Sequence, residues 1–354
     1  MDAERADVVV IGGGQSGLVS ARALVRQGLK PVVLEASDRA AGSWPRYYDS
    51  LALFSPARYS SLPGLPFPGD PDHYPHRDEV VAYLTDYATR LDADIRTGHR
   101  VHAVRRTGHG FEVETDGGDR LATRAVVAAS GSFGRPHRPD LPGLDAFTGT
   151  VLHAADYRDP APFAEQRVIV VGAGNSAVQI ASELAEVARV TLATRGTVRY
   201  APQRILGRDL HFWFARTGID RAPLGRFLDV PPPQPVIDDG RYRAALTRGE
   251  PDRRPLFAGI DGATVTWVDG AREEVDAIVL ATGYRPDLPY LAHLDGALDA
   301  AGRPRNREGR SLAHPGLVFL GLEWQRSLTS NSLRGVGRDA ARAARHLAAL
   351  LGQR

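Results

Sequence analysis

The sequence contains no cysteine among its 354 residues. This absence excludes disulfides, thiolate metal sites, cysteine nucleophiles and dithiol redox relays within the chain. Lysine is almost as rare, because Lys30 is the one lysine among 44 basic residues. The arginines that make up the rest are scattered in pairs such as Arg105 and Arg106 and form no basic stripe. Nucleic acid is therefore not an expected partner.

Long apolar runs are also missing. No segment approaches the roughly 18 apolar residues that a membrane-spanning helix needs, and the charged start, MDAERAD, leaves no room for a signal peptide. We therefore expect a soluble, cytoplasmic protein that has no membrane partner. The length of 354 residues and the apolar content of 43% predict two domains.

The segment ADVVVIGGGQSGLVSARALVRQGLKPVVLE predicts a buried strand, a glycine turn, a helix and a second strand that ends at Glu35. In such a unit Gly12 permits the tight turn, Gly14 lets the backbone approach a pyrophosphate, and Gly17 lets the helix pack against the strand. The helix N-terminus then faces the phosphates. Glu35 lies where a carboxylate binds ribose hydroxyls, so the unit predicts a dinucleotide site.

The pattern recurs in QRVIVVGAGNSAVQIASELAEVARVTLATRG, where Gly172, Gly174 and Ala177 take the three small positions. Arg195 follows the first glycine of this turn by 23 residues, the offset at which Glu35 follows the first glycine of the other turn. A carboxylate repels a 2′-phosphate, whereas a guanidinium pairs with it. This contrast predicts FAD at the first site and NADPH at the second. The alternative is that Arg195 is a surface arginine and the second site takes NADH.

The expected fold class is α/β, with two Rossmann-like dinucleotide-binding domains. The FAD domain is expected to be discontinuous, over 1–158 and 285–354. The NADPH domain, 159–284, carries an irregular insertion at about 200–255, which contains HFWF and DVPPPQP and either covers a pocket or packs as a flap. The tail predicts one strand and a final helix from about Gly337 that re-enters the first domain.

The connector FTGTVLHAADY places Phe147, Gly149, His153 and Tyr157 at fixed intervals between the two units. These residues match the FxGxxxH motif, followed by Tyr or Phe, of the class B flavin-dependent monooxygenases, which include the flavin-containing monooxygenases and the plant YUCCA type. The paired glycine turns and the GSW, YPHRDEVVAYLTDYA and LATGY elements match as well. The resemblance covers nearly all the chain, which is most similar to small bacterial ArsO- and CzcO-like flavoproteins.

This resemblance implies a reaction. NADPH gives a hydride to FAD, O₂ adds at flavin C4a, and the resulting peroxide passes one oxygen atom to a soft heteroatom (N, S or As) of a small molecule. Tyr157 stands where Baeyer–Villiger relatives place Trp, which favours heteroatom oxygenation. Ser55 stands where many members carry Asn near the flavin, so it is the candidate catalytic residue, and stabilisation of the peroxide is left open. His153 is expected near the NADPH site, with simple packing of a domain hinge as the alternative.

The motifs and the resemblance give three sets of candidate residues. The FAD set is Gly12, Gly14, Gln15, Ser16, Gly17, Glu35, Gly42, Ser43, Trp44, Val101, Ser130, Gly131 and Leu333. The NADP set is Gly172, Gly174, Asn175, Ser176, Ala177, Arg195, Thr282, Gly283, Tyr284 and His153. The substrate-pocket set is Trp324, Gln325 and Asn331. No metal site is expected, because the histidine pair in DHYPH lacks a third ligand.

Two other functions stay open. A flavin reductase would pass electrons from NAD(P)H to a quinone or ferredoxin without oxygenation. Disulfide reductases of this architecture are excluded, since they need a cysteine pair. The non-enzymatic alternative is a redox-sensing regulator that binds both nucleotides. The oligomeric state is also open, with a homodimer as one of the alternatives.

Overall fold

A computed structural model describes residues 4–228 and 232–352. Residues 229–231, part of the DVPPPQP stretch, and the first three residues of the MDAERAD start lie outside the described residues. The described helices are α1 Gln15–Val25, α2 Arg77–Thr89, α3 Asn175–Leu184, α4 Leu210–Thr217, α5 Arg241–Arg248 and α6 Leu333–Gly352. The described strands are β1 Glu4–Ile11, β2 Pro31–Leu34, β3 Asp94–Arg96, β4 Val101–Thr107, β5 Gly110–Thr115, β6 Arg120–Ala128, β7 Arg135–Pro136, β8 Thr150–His153, β9 Arg167–Val171, β10 Arg189–Thr194, β11 Tyr200–Pro202, β12 Arg204–Ile205, β13 Arg208–Asp209, β14 Val236–Asp238, β15 Asp252–Pro255, β16 Gly259–Asp261, β17 Thr264–Thr266, β18 Arg272–Glu274, β19 Ala277–Leu280, β20 Tyr284–Arg285, β21 Asn306–Arg307, β22 Arg310–Ser311 and β23 Leu317–Phe319.

The first sheet is built around β1, which pairs in parallel with β2 on one side and with β6 on the other. Its apolar run is buried on both faces, as parallel strands require. Val8 and Val10 pack in the core with α1, α2 and α6, whereas Val9 and Ile11 pack in the core with β4, β5 and residues 288–297. The full order is β21-β22-β23-β6-β1-β2-β3, with the β4–β5 hairpin attached to β6.

The second sheet is parallel throughout, in the order β15-β10-β9-β19-β8. Val168 and Val170 of β9 pack in one core and Ile169 and Val171 in another, so this strand too is covered on both faces. The connector enters this sheet as β8, at residue 150, because β8 pairs with β19. The second sheet therefore begins nine residues before position 159, where the sequence predicted the second domain to start.

The tail returns to the first sheet. β23 pairs in parallel with β6, and α6 packs in the same core as α1. The prediction that the final helix begins at about Gly337 is wrong by one turn, since α6 begins at Leu333. Gly335 and Gly337 lie inside the helix because a Cβ there would lie 2.1 Å from Thr329 O and 2.4 Å from Pro63 Cγ, respectively. These glycines permit close packing and do not mark a helix end.

The insertion is not a free-standing lobe. We call residues 210–228, which comprise α4 and two short 3₁₀ turns, the flap. The flap packs on the tail, where Gly225 N–H donates to Arg326 O at 2.9 Å and the Thr329 hydroxyl donates to Asp220 O at 3.3 Å. The second unit thus touches the first through the flap. Within the described ranges, the helices are too short or too polar to cross a bilayer.

Candidate active site

A cavity of about 1670 Å³ runs past the carboxyl ends of parallel strands from both sheets. Open α/β sheets bind ligands at this edge. Both glycine turns lie on its wall. The cavity exceeds the roughly 300–1,000 Å³ of a pocket for one small ligand, which fits two nucleotides sharing one space.

The first glycine turn is closed to side chains. Gly12 has φ +106°, and a Cβ there would lie 2.8 Å from Ala129 O. A Cβ at Gly17 would lie 1.8 Å from Gly12 O, and one at Gly42 would lie 2.8 Å from Gly14 Cα. The backbone at the start of α1 is therefore bare toward the cavity. This is the cradle that a pyrophosphate needs at a helix N-terminus.

Glu35 follows β2 directly and is 6% exposed. Its Oε2 accepts the Gly13 N–H at 2.5 Å, and its Oε1 accepts the Ser37 N–H at 2.8 Å and the Ser37 hydroxyl at 2.7 Å. These donors fix the carboxylate at the cavity wall without a cation. The position fits a ribose diol, which donates two hydrogen bonds, and FAD is a dinucleotide that carries one.

The second turn differs from the first in register. In each unit the first glycine donates its N–H to the next strand, to Leu34 O at 2.8 Å in the first and to Ala193 O at 3.0 Å in the second. The residue that follows is Glu35 in the first unit and Thr194 in the second. This residue is 23 positions after the first glycine in the first unit but 22 positions after it in the second. Equal sequence offset therefore pairs Glu35 with Arg195, whereas the hydrogen bonds pair it with Thr194. A neutral Thr194 replaces the carboxylate, and Arg195 comes next.

Arg195 is exposed and lies on the cavity wall. Among the described residues its guanidinium has no hydrogen-bond or ion-pair partner, so all its donors are available to a ligand. The neighbourhood is positive: burial lowers the pKa of His137, and the charges of Arg285 and Arg195 lower it further. An extra phosphate would meet favourable charge here and no carboxylate at Thr194.

Most of the predicted residues lie on the cavity wall. From the FAD set these are Gly12, Gly14, Gln15, Ser16, Glu35, Gly42, Ser43, Trp44, Val101, Ser130, Gly131 and Leu333. From the other sets they are Gly172, Gly174, Asn175, Ser176, Arg195, Thr282, Gly283, Tyr284, Ser55, Trp324 and Asn331. Gly17 and Ala177 lie behind their turns, where they let helix and strand pack. The Ala177 methyl group fits because Gly172 has no side chain; a Cβ on Gly172 would lie 3.0 Å from the Ala177 Cβ.

His153 does not line the cavity, contrary to its place in the NADP set, and is fully buried. Its Nδ1 accepts the Ala155 N–H at 3.0 Å and its Nε2 bonds Gly283 O at 3.1 Å, a pairing that requires neutral imidazole with the proton on Nε2. Burial lowers its pKa, which favours the same neutral form. Its ring meets Tyr284 edge-on at 5.0 Å. His153 therefore supports the LATGY turn from behind, and Tyr284 makes the wall.

Gln325, predicted for the substrate pocket, does not line the cavity either. Its Nε2 donates to Phe319 O at 2.8 Å and its Oε1 accepts the Leu322 N–H at 3.2 Å. Both ends of the amide therefore bond main chain. By contrast, Asn331 and Trp44 are tied to the flavin side of the cavity through Gln15, which donates to Asn331 O at 2.8 Å and accepts from Trp44 Nε1 at 2.7 Å.

Two other predicted side chains are already engaged. The Asn175 amide donates to Pro235 O at 3.3 Å and accepts the Ile237 N–H at 3.1 Å. These two bonds attach the insertion to the start of α3. Its backbone, at the N-terminus of α3, still faces the cavity. Ser55 Oγ bonds Ser60 Oγ at 2.8 Å. Either hydroxyl can donate, so Ser55 can present a donor or an acceptor to the cavity.

The sequence missed several wall residues, for which no motif gave a signal: Tyr48, His211, Phe214, Glu323 and Arg334. Glu323 is the notable acid. Its N–H donates to Ser132 Oγ at 3.0 Å, and within the described chain its carboxyl has no protein partner. Burial raises its pKa above the ordinary value.

Comparison with known proteins identifies the chain. The family model described as pyridine nucleotide-disulphide oxidoreductase matches residues 9–210. The indole-3-pyruvate monooxygenase YUCCA1 of Oryza sativa is 32% identical, covering 86% of this chain and 81% of the relative. The flavin-containing monooxygenase from Stenotrophomonas maltophilia superimposes with a TM-score of 0.86 at 34% identity, covering 98% of this chain and 99% of that chain. The chain belongs to the class B flavin-dependent monooxygenases.

Within this family, the CzcO-like oxidoreductase of Geobacillus kaustophilus is 32% identical, covering 94% of this chain and 96% of the relative. The family uses FAD and NADPH, so the cofactor prediction is confirmed at that level. The two-domain α/β fold class is confirmed as well.

Proposed function

We propose that this protein is an NADPH-dependent flavoprotein monooxygenase that oxygenates a soft heteroatom, N, S or As, of a small molecule. One observation carries the proposal. A carboxylate, Glu35, follows the second strand of one nucleotide cradle, whereas the neutral Thr194 and then the Arg195 guanidinium, which has no partner among the described residues, follow that strand in the other cradle; both cradles open onto the same cavity. FAD fits the acidic cradle and NADPH the basic one.

Bound FAD and NADPH supply hydride transfer and the activation of O₂. The chain binds and orients them. The bare turn at Gly12 and the N-terminus of α1 hold one pyrophosphate, and Glu35 accepts from the ribose. Arg195 pairs with the 2′-phosphate. Tyr284, which packs edge-on against His153, lies on the wall of the cavity that both cradles share.

We place the substrate on the flap side of the cavity, where His211 and Phe214 lie on the wall. A heteroatom lone pair needs no general base in order to accept oxygen, so the wall does not need a catalytic triad or a paired carboxylate. The family includes a relative named for indole-3-pyruvate. That compound therefore belongs in a substrate panel, together with sulfides, amines, thioureas and trivalent organoarsenicals.

The test is product formation from ¹⁸O₂. FAD-loaded protein, NADPH and each panel member are incubated, and ¹⁸O incorporation, NADPH consumption and H₂O₂ are measured together. We expect one ¹⁸O atom per product molecule and a ratio of product to NADPH near one for a good substrate. The proposal fails if, with every compound, the H₂O₂ formed equals the NADPH consumed and a quinone accepts the electrons faster than O₂ does. The protein is then a reductase.

A further inference from the structure

Arg334 is a buried cation on the cavity wall. It is the second residue of α6, and its side chain is 8% exposed. One of its N–H groups, on Nη2, donates to the Asp220 carboxylate. Within the described chain, its remaining guanidinium donors have no acceptor. A guanidinium carries five N–H donors in a rigid fork, so most of this one is free toward the cavity.

Asp220, the partner of Arg334, is not fully satisfied either. Its side chain has no exposed surface, and its Oδ1 has no hydrogen-bond partner among the described residues. It belongs to the flap, so the ion pair joins the flap to the tail. Burial lowers the pKa of Arg334, while the charge of Asp220 opposes that shift. Burying two charges costs desolvation free energy, which is offset only when the remaining donors and acceptors are hydrogen-bonded. Here several donors of the arginine have no such partner among the described residues.

The part of the cavity wall that the tail forms beside Arg334 also carries donors without acceptors. The Trp324 indole N–H is buried and, in the part of the chain described, finds no acceptor. The Asn331 side-chain amide lies on the wall as well. Further arginines, Arg221 and Arg338, add positive charge near Asp220 and Arg334. This part of the wall therefore has an excess of donors and positive charge, which an anionic acceptor would satisfy.

We propose that Arg334 recognises a carboxylate on the substrate, so that the oxygenated heteroatom belongs to a small organic acid. The inference rests on the proposed function. A carboxylate accepts two parallel N–H bonds from one guanidinium. Asp220 is the internal counter-ion that keeps Arg334 in place when no substrate is bound. The substrate class is thus a thioether, amine or similar nucleophile that bears a carboxylate within reach of the flavin.

The first test measures binding without turnover. FAD-loaded protein with saturating NADP⁺ is titrated by calorimetry with phenylacetate and with phenylacetamide, which differ mainly in charge. Charge-assisted hydrogen bonds predict that phenylacetate binds about tenfold to hundredfold tighter. In Arg334→Gln this preference disappears, and in Arg334→Lys part of it remains. Arg345→Gln is the matched control, because this exposed arginine lies about three turns further along α6 and is not on the wall.

The second variant should change the affinity for phenylacetate in the opposite direction. Asp220→Asn keeps an acceptor for Arg334 but removes the competing negative charge, so the affinity for phenylacetate rises severalfold while that for phenylacetamide does not. A merely structural ion pair would not produce opposite changes in the two variants. The double variant Arg334→Gln, Asp220→Asn removes both buried charges. It is expected to fold, since it leaves no unpaired buried charge, and to show no preference for the acid. It therefore tests the inference even if Arg334→Gln alone does not fold.

The turnover test compares (phenylthio)acetate with (phenylthio)acetamide as sulfide substrates. We expect kcat/KM for sulfoxidation to favour the acid in the natural protein and in Arg345→Gln, but not in Arg334→Gln. If Arg334→Gln weakens acid and amide equally, or releases FAD, Arg334 is a structural or flavin-binding residue and the inference is overturned. If the acid binds selectively through Arg334 but no sulfoxide forms, the inference stands and the proposed function fails.

Discussion

Replacing Arg195 with alanine removes the guanidinium that is proposed to bind the 2′-phosphate. A unit charge about 4 Å from a phosphate charge is worth about 4 kcal/mol at an effective dielectric near 20. Arg195 is exposed, so solvent screening reduces this to about 1–2 kcal/mol. We therefore expect kcat/KM for NADPH to fall about fivefold to thirtyfold, with little change for NADH, which lacks the phosphate.

The assay is the anaerobic rate of flavin reduction at varied coenzyme concentration, because this step precedes any reaction with O₂. Arg189→Ala is the matched control. This arginine is also exposed and begins β10, the strand that Arg195 directly follows, so it lies at the amino end and does not line the cavity. It should leave both coenzymes unaffected.

The register adds a converse test. Thr194 lies where the first unit has Glu35, so Thr194→Glu places a carboxylate beside the expected phosphate and should shift preference toward NADH. The reasoning is refuted if Arg195→Ala changes NADPH and NADH equally. It is also refuted if Thr194→Glu leaves their ratio unchanged in protein that retains FAD.

Three further changes test other parts of the site. Glu35→Gln removes the charge that accepts from the ribose, so the Kd for FAD should rise about tenfold, measured by quenching of flavin fluorescence; an unchanged Kd would remove Glu35 from the FAD site. His153→Phe leaves the Ala155 N–H without its acceptor, while Gly283 O keeps the His137 N–H, so urea unfolding should show a loss of about 1–2 kcal/mol; unchanged stability would contradict the bonding described. Burial raises the pKa of Glu323 above its ordinary value of 4.5, so the folded state holds this proton more tightly than the unfolded state. The corresponding stability is present below pH 4.5 and is lost as pH rises through the folded pKa. Glu323→Gln should therefore make the ligand-free protein more stable than the natural one at pH 8 but not at pH 4, and equal stability at both values would count against the shift.

The parts of the fold that depend on local rules were predictable from the sequence. The buried runs of β1 and β9 and the turn at Gly12 follow from strand periodicity and from the space a Cβ would need. Features set by distant contacts were not predictable. The start of α6 was placed too late because Gly335 and Gly337 are required by Thr329 and Pro63, whose proximity no local pattern reveals.

The candidate site shows the same division. Glu35 and Arg195 could be found because each follows an apolar strand after a glycine turn, but the alignment of Thr194 with Glu35 depends on strand register, which a count of residues does not give. Arg334 could not be found at all. Its partner, Asp220, is 114 residues away in the chain, and an arginine near the start of an amphipathic helix looks like a surface residue.

The fold alone does not separate oxygenation from electron transfer. Bacillithiol disulfide reductases of Bacillus cereus share it, with a TM-score of 0.76 at 22% identity, so the two-cradle architecture serves both kinds of reaction. The cradles govern delivery of the hydride, which both reactions need. What differs is the acceptor of the flavin's electrons. This chain has no thiol to receive them, and the flap closes against the tail through Asp220 and Arg334 beside the same cavity. Under the proposed function, a small acid held there and O₂ would both meet the reduced flavin, and the side chains of the flap and tail, more than the nucleotide cradles, would direct its electrons to oxygen transfer.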